Sequence, residues 1–277
     1  RGHCQTGRSY EGGSVAKSTP LTHFQTLTYS RRSTREFTDT PVAPEVIDEI
    51  IQDALTAPSW SNTRPYRVAV ATGEVKDRIS AELLGRFDEI MLARSKKWTD
   101  RVKGFAKALS LLRSDFRIPV VYPEDLRRRQ IDLAKALYSH LGVERSDVEG
   151  RNNFIRENMR FFGAPVGMFF FARTGMGVYS ALDAGHFMQT LMLAAKARGL
   201  DTCAQGFLAF WSKPIREEFD VPRGYKLLCG MSLGYAADSH INLFFPPATS
   251  GQELVLGAHE RGGGEAPSPR DEVRVGP

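Results

Sequence analysis

Cysteine is scarce in this sequence: Cys4, Cys203 and Cys229 are the three cysteines among 277 residues, and no two of them form a CxxC pair. An odd, scattered set argues against a disulfide framework. The six histidines are dispersed without metal-ligand spacing. We therefore expect no metal site, and we expect a reducing compartment, the cytoplasm, for the protein.

Long apolar runs are missing as well. No run reaches the length needed to cross a membrane, and residues 1–20 contain no hydrophobic segment of the kind that directs secretion. The net charge of +5 is modest and suits an anionic ligand as well as nucleic acid. Because the basic residues are scattered, nucleic-acid binding is disfavoured. These absences predict a soluble protein with neither a membrane nor a nucleic-acid partner.

Large apolar residues are few at both ends of the chain. Residues 1–20 are rich in Gly, Ser and Thr, and residues 257–277 have a similar composition. Such segments cannot bury enough surface to offset the entropy lost on ordering. We therefore predict a flexible N-terminal segment over 1–20, one folded domain over 21–256, and a disordered C-terminal tail over 257–277.

Between these ends, hydrophobic residues recur with helical and strand periods in turn. The spacing predicts helices over 44–57, 75–86 and 180–198, and strands over 66–71, 166–172 and 227–235. Residues 93–160 carry many charges, with apolar residues three and four apart, and predict a helical insertion. The predicted fold class is α+β, with a buried central sheet and several helices.

The helix predicted over 180–198 is apolar on nearly all sides. Ser180 and Asp183 are spaced as a capping box at its start, and Gly199 is the expected stop. A helix of this kind has to be covered on more than one side. A dimer interface would cover it, and so would a central position in a monomer; the periodicity is compatible with both.

Three arginines and two hydroxyl residues lie together ahead of the first predicted helix, in the run Arg31-Arg32-Ser33-Thr34-Arg35. Guanidinium forks match phosphate oxygens two at a time, and hydroxyl groups complete the set of donors. The run therefore indicates a site for a phosphate-bearing ligand. The alternative is a solvated basic turn, which is the commoner meaning of a short charge run.

A rigid polar loop is predicted over 57–66, APSWSNTRPY, between a helix and a strand. Two prolines stiffen it, and its Ser, Asn and Arg side chains offer polar tips that suit the edge of a heteroaromatic ring. The alternative is a helix stop followed by a turn. That alternative explains Pro58, but it explains Trp60 and Arg64 less well.

A third candidate is the loop predicted over 202–207, TCAQGF, in which Gly206 would let the backbone approach a ligand closely. The alternative is a loop that needs glycine only for its conformation. Cys203 is a conceivable nucleophile, but no histidine lies near it in the sequence. Small cysteines in apolar surroundings are usually structural, which favours that interpretation here.

In this order and at these separations, RRSTREF, APSWSNTRPY and GLDTCAQGF resemble the flavin-binding motifs of the nitroreductase superfamily. The closing run CGMSLGYAAD and Asn242 fit the same pattern, and the resemblance covers about residues 24–256. The segments YPEDLRRRQ and FFGAPVGMFF look closest to the branch with bacterial nitroarene and nitrobenzoate reductases. The resemblance implies a nitroreductase-like α+β fold, with a mostly antiparallel central sheet flanked by helices, in an intertwined homodimer.

The resemblance also implies two FMN sites at the dimer interface and assigns their residues. Arg31, Arg32, Ser33 and Arg35 would hold the phosphate and the pyrimidine side of the flavin; Pro58, Ser59, Trp60 and Asn62 would come from the other subunit; the backbone at Gln205 and Gly206 would direct an N–H at flavin N5; and Tyr122 would cover the substrate side.

The sequence departs from the family pattern at two positions. Arg64 stands where the family more often has glutamine. Phe245 stands roughly where the family usually has an arginine that reaches the FMN phosphate. A charge-assisted hydrogen bond contributes roughly 1.5–3 kcal/mol. Its loss is therefore expected to weaken FMN binding by about one to two orders of magnitude, unless another arginine substitutes.

The activity that the resemblance implies is hydride transfer from NADPH or NADH to flavin N5, and from there to a nitroaromatic or similar small acceptor, with ping-pong kinetics. Cationic Arg35 near the pyrimidine edge would stabilise the anionic reduced flavin. No side chain is required as an acid or a base, so no catalytic residue is predicted. Two alternatives stay open: a flavin-dependent reductase, dehydrogenase or dehalogenase with a non-nitro substrate, and a non-catalytic flavin-binding dimer.

Overall fold

The computed structural model describes residues 20–93, 114–119, 121–247, 254 and 256. Most of the predicted N-terminal segment, the predicted tail over 257–277 and residues 94–113 of the predicted insertion lie outside these ranges. Within the ranges, no helix is both long and apolar enough to cross a membrane.

Helices and strands alternate along the described ranges. In chain order they are α1 (Pro20–Ser30), α2 (Pro44–Ala54), β1 (Tyr66–Thr72), α3 (Gly73–Ala93), α4 (Glu124–His140), α5 (Val148–Arg156), β2 (Val166–Arg173), α6 (Val178–Ala197), β3 (Asp201–Gln205), α7 (Ser212–Glu218) and β4 (Tyr225–Gly234). Short 3-10 helices lie at Trp60–Asn62, Phe161–Gly163, Gly206–Phe210 and His240–Leu243.

The strands form one antiparallel sheet in the order β1-β2-β4-β3. β2 lies in the interior of the sheet, and all of its residues except Arg173 are buried. This position explains its unbroken apolar run, because helices cover both faces of the strand. The expected α+β fold with an antiparallel central sheet is therefore confirmed.

Each face of the sheet has its own hydrophobic core. One core joins α3 and α7 to Phe169 and Phe171 of β2. The other joins α2 and α6 to Met168 and Phe170 of the same strand. Because successive side chains of a strand point to opposite faces, β2 ties the two cores together. The described domain is thus built in three layers, helix on sheet on helix.

The capping box predicted at Ser180 and Asp183 is wrong. α6 begins directly after Gly177, whose φ of 58° is suited to glycine. Ser180 therefore lies inside the helix, where its hydroxyl donates to the Arg173 carbonyl at 2.7 Å. Asp183 is also engaged elsewhere, because its carboxylate accepts the Trp60 amide at 2.9 Å.

The C-terminal end of α6 follows the prediction, but the segment after it does not. Gly199 adopts a φ of 75° just past the helix, and the Leu200 amide closes the turn by donating to the Ala195 carbonyl at 3.0 Å. The loop predicted next is instead strand β3. Its five residues carry little apolar or β-branched character, so only pairing with β4 identifies them as a strand.

Asp115 anchors a described part of the insertion to the core. Its carboxylate accepts hydrogen bonds from the Ser212 hydroxyl, the Leu227 amide and the Arg216 guanidinium, each at 2.7 Å. Burial of this carboxyl raises its pKa, but the hydrogen bonds from Arg216, Leu227 and Ser212 outweigh that effect and hold the pKa of Asp115 below its ordinary value. The ionised form therefore stabilises the fold.

We expect Asp115→Asn to lower the free energy of unfolding by about 2–4 kcal/mol near pH 7, because it removes the charge from the hydrogen bonds that Ser212, Leu227 and Arg216 donate. The pKa of Asp115 lies below the unfolded value of 3.8. Its contribution is therefore complete above that value and disappears as the pH falls through the folded pKa. Chemical denaturation at a series of pH values measures this, and the variant should approach wild type below about pH 4.

Asp220→Asn is the matched control, since Asp220 is exposed. Loss of one exposed carboxylate is expected to change the free energy of unfolding by less than about 0.5 kcal/mol. An Asp115→Asn effect as small as the control, or one that grows toward acid pH, would contradict the anchoring role.

Candidate functional site

The arginine run lies along the open edge of β3. Ser33 forms a parallel β-bridge with Thr202, and the Thr34 amide donates to the Thr202 carbonyl at 3.1 Å. Because β3 is the last strand of the sheet, the run takes the place that a further strand would occupy. The structure thus brings together two of the three predicted motifs, residues 31–35 and residues 202–207.

Asn242 locks the arginine run in this position from the far end of the described chain. Its Oδ1 accepts the Arg35 amide at 2.8 Å. Its Nδ2 donates to the Glu36 carbonyl at 2.7 Å and to the Ala237 carbonyl at 2.9 Å. Its own carbonyl accepts a hydrogen bond from Nη1 of Arg32 at 2.9 Å. The side-chain amide of Asn242 therefore joins the end of the arginine run to the segment that contains Ala237.

The guanidinium groups of Arg32 and Arg35 in this run contact neutral groups. Arg35 donates through Nη1 to the Ser33 carbonyl at 3.3 Å, and the Cζ atom of Arg32 lies 4.5 Å from the centre of the Phe245 ring. Within the part of the chain that the structure describes, Arg31, Arg32 and Arg35 form no ion pair. Partly buried positive charge without a counterion indicates a site for an anion.

The backbone at the end of β3 is available to a ligand, because the Gln205 side chain turns inward. Gln205 is buried; its Nε2 donates to the Asn158 carbonyl at 2.9 Å and its Oε1 accepts the Ser232 hydroxyl at 2.7 Å. The neighbouring residues Ala204 and Gly206 are exposed. A Cβ atom added at Gly206 would meet nothing within 4 Å, so a flat ligand has room beside the backbone.

Cys203 lies in this strand, but its surroundings disfavour a nucleophile. Burial raises the pKa of its thiol to about 11, and the nearby Arg35 and Arg31 oppose the shift only in part. Burial raises the pKa of Cys229 similarly, to about 12. Since the thiolate is the reactive form, both side chains act as apolar groups of the core, which is the structural interpretation favoured by the sequence.

The second predicted motif forms a strained, exposed loop. Ser61, Asn62 and Arg64 have φ values of 47°, 55° and 45°, a region where non-glycine residues cost about 1 kcal/mol or more each. Several contacts hold the loop: the Arg64 amide donates to the Ser59 hydroxyl at 3.1 Å, the Trp60 amide donates to the Asp183 carboxylate, and the Trp60 ring lies 4.4 Å from that of Tyr179.

Pro58, Trp60 and Asn62 nevertheless remain exposed. A simple helix stop followed by a turn explains neither the strain nor the exposed tryptophan. Backbone strain that is held in place by specific contacts is a mark of functional loops.

This loop and the arginine run lie at diagonally opposite corners of the sheet. Thr202 is level with Thr72 across the ladder, six residues from Tyr66, where the loop joins β1. At about 3.3 Å per residue and 4.8 Å per strand, the two corners are about 20 Å apart along the strands and 14 Å across them. One chain therefore does not bring the two motifs together.

Tyr122 lies two residues before α4 and is 41% exposed. Among the described residues it makes no hydrogen bond or ring contact with the arginine run. Tyr122 is therefore not among the residues that the structure joins to the arginine run.

Sequence reasoning missed the residues that hold these motifs from a distance. Asn158 and Ser232 fix Gln205, and Asp183 fixes Trp60. Each belongs to another element, so no local pattern marks it. The one available signal was Asp183 itself, a carboxylate within a helix that is otherwise apolar on nearly all sides.

The described fold is a three-layer α+β domain in which arginines without counterions among the described residues lie beside accessible backbone at the edge of β3. The model of the Nitroreductase family matches residues 28–103 and 106–235, and the chain belongs to this family. The resemblance of the three motifs to this family is thereby confirmed.

Named relatives cover most of the chain. A 4-nitrobenzoate reductase from Pseudomonas putida is 36% identical over 221 residues, 78% of this chain and 86% of that protein. A nitrobenzene nitroreductase from Ectopseudomonas oleovorans is 35% identical over 214 residues, 77% of this chain and 86% of that protein. The FMN-dependent nitroreductase NfnB from Mycobacterium smegmatis, solved in complex with NADPH, aligns with a TM-score of 0.73 and 29% identity over 86% of this chain and 99% of its own.

The raised thiol pKa values predict that Cys203 and Cys229 resist alkylation in the folded protein. With a pKa of about 11, about one Cys203 thiol in a thousand is ionised near pH 8, and burial limits access further. Treatment with iodoacetamide followed by peptide mass spectrometry should leave both residues unlabelled, whereas the same treatment in urea should label both. Rapid labelling of Cys203 in the native protein would contradict this prediction, because it would show an accessible, ionised thiol.

Proposed function

We propose that the protein is an FMN-dependent oxidoreductase that passes a hydride from NADPH or NADH to a nitroaromatic or similar small acceptor. The observation that carries the proposal is the edge of β3, where arginines without counterions lie beside freely accessible backbone. Membership of the Nitroreductase family supports it. So do the names of the relatives, a nitrobenzoate reductase and a nitrobenzene nitroreductase among them.

The residues at this edge fit FMN, which combines an anionic phosphate with a flat heteroaromatic ring. The arginines offer several N–H donors without an acidic partner among the described residues. The buried Thr202 hydroxyl likewise has no hydrogen-bond partner there, and Gly206 leaves room for a ring. FMN, when bound, supplies the hydride-accepting and hydride-donating chemistry that the side chains lack.

The proposed flavin site is built from the residues that the sequence assigns to it. Arg31, Arg32, Ser33 and Arg35 bind the phosphate and the pyrimidine side; the backbone of Gln205 and Gly206 faces N5; and Tyr122 covers the substrate side. The proposed FMN-binding domain spans residues 21–256. The free thiols of Cys203 and Cys229 are consistent with a cytoplasmic location.

The chain itself contributes charge and rigidity to the reaction. Two hydrogen bonds fix the position of the positively charged Arg35, one from its amide to Asn242 and one from its Nη1 to the Ser33 carbonyl. A fixed positive charge stabilises negative charge that develops beside it. Gln205 is bonded at both ends of its side chain, so the adjacent backbone donors keep their direction. Donor and acceptor use the same open face in turn, which gives ping-pong kinetics.

We further propose that the working unit is a homodimer in which each FMN site takes residues from both chains. The second motif lies at the opposite corner of the sheet from the arginine run, so the Pro58, Ser59, Trp60 and Asn62 group of a partner subunit completes each site. Exposed apolar surface on α6 and α1 supports this arrangement. Val178 and Leu182 on the outer side of α6 are 76% and 51% exposed in the single chain, and α1 buries none of its residues.

The visible spectrum of the purified protein, followed without oxygen, tests the activity. We expect a yellow flavin band that NADPH or NADH bleaches and that a nitroarene then restores, because the two half-reactions occur separately. A bound flavin that neither nicotinamide reduces would contradict the proposed donor. A protein that stays colourless and inactive after FMN is added would overturn the function itself.

A mixed dimer tests the shared sites. One subunit carries Arg32→Glu and Arg35→Glu; the other carries Trp60→Ala and Asn62→Gly, which keeps the positive φ that Asn62 adopts. The heterodimer, purified through two different tags, should contain one intact site and hold about half of the wild-type FMN. Each mutant homodimer should hold almost none.

The alternative arrangement gives a different result. If each site were built from one chain, both subunits of the heterodimer would be defective, and it would bind no more FMN than the mutant homodimers. Circular dichroism and size-exclusion chromatography of the two homodimers serve as the control for folding and assembly.

A further inference from the structure

Phe245 is exposed but held in place, and it supports a charged group. Its side chain is 64% exposed, whereas that of the preceding Phe244 is 6% exposed and packs into the domain. Pro246 follows, which restricts the backbone of Phe245 to extended conformations. The ring is thus directed outward by constraints on both sides, and the Arg32 guanidinium lies over it, with Cζ 4.5 Å from the ring centre.

This contact places the Arg32 cation over the ring without an acidic partner among the described residues. The N–H donors of arginine lie in the plane of the group, and one of them already donates to the Asn242 carbonyl at 2.9 Å. A carboxylate partner would occupy further donors and neutralise the charge. An aromatic ring instead attracts the cation through its face. Since the Arg32 guanidinium makes no other hydrogen bond among the described residues, its remaining N–H donors are available to an anion.

An arginine at position 245 would act differently. It would place a second positive charge beside Arg32, and the two cations would repel each other unless an anion lay between them. In this chain, Phe245 removes that repulsion and orients the cation that remains. The loss of a direct ligand, which the sequence suggested would weaken FMN binding, is offset in part by better placement of Arg32.

We infer that Phe245 is a positioning residue for the phosphate of the bound flavin, and that it acts by holding the Arg32 guanidinium. This inference rests on the proposed FMN function. Because it concerns the phosphate alone, it predicts a difference between FMN and riboflavin, which has the same ring but no phosphate. That difference is measured by binding and requires no turnover.

The experiment measures the dissociation constants of FMN and riboflavin for the flavin-free protein by fluorescence quenching. Phe245→Ala should weaken FMN binding by between about twofold and fivefold, the range expected for an exposed cation–π contact. Riboflavin binding should not change. Phe245→Leu, which keeps apolar bulk but has no ring, should behave like Phe245→Ala. Phe245→Trp should keep or strengthen wild-type FMN affinity, since tryptophan binds cations best.

A double-mutant cycle with Arg32→Ala connects the effect to the arginine. Once Arg32 is removed, Phe245→Ala should cause no further loss of FMN affinity, because the group that it positions is gone. Additive losses would overturn the inference. So would equal weakening of FMN and riboflavin, or a Phe245→Leu variant with wild-type affinity, since each indicates simple packing.

The wild-type result separates this inference from the function on which it rests. Equal affinity for FMN and riboflavin would leave the flavin function standing and overturn the role of Phe245. A protein that binds neither flavin would overturn both.

Discussion

The candidate site depends on the edge of β3, where the chain supplies an arginine run in place of a fifth strand. The run is joined to the sheet through Ser33 and Thr34, which pair with Thr202. A full strand would satisfy the edge with backbone hydrogen bonds and project its side chains to the two faces. A single bridge leaves the arginines at the edge itself. Asn242 reinforces this weak pairing through three hydrogen bonds, with Arg32, Arg35 and Glu36. The site therefore depends on both ends of the described domain.

The same edge concentrates positive charge that the fold does not neutralise. Three arginines without acidic partners in the described ranges repel one another, and the chain limits this cost with carbonyl groups and the Phe245 ring. An anionic ligand removes the repulsion that remains. Binding and folding are therefore linked, because a ligand that binds only the folded protein stabilises it. The Gln205 side chain is hydrogen-bonded at both ends. It therefore fixes the uncharged backbone beside the arginines before a ligand binds.

The sequence was informative wherever structure depends on neighbouring residues. The apolar run of β2 and the stop at Gly199 were predicted because burial and helix termination leave local patterns. The capping box failed because Asp183 bonds to a loop more than a hundred residues away. β3 was missed because pairing defines it, and its composition does not. The pairing of Gln205 with Asn158 and Ser232 could not be predicted, since three separate elements meet there.

The proposed dimer would account for the apolar character of α6 on nearly all sides. Its inner face packs on the sheet, and its N-terminal part holds the strained loop through Asp183 and Tyr179. Its outer side exposes Leu182. In the proposed dimer, one helix then carries both the subunit contact and the second half-site. A shift of α6 at the interface would move Trp60 with it. The proposed arrangement therefore makes association of the subunits and completion of the flavin site one event.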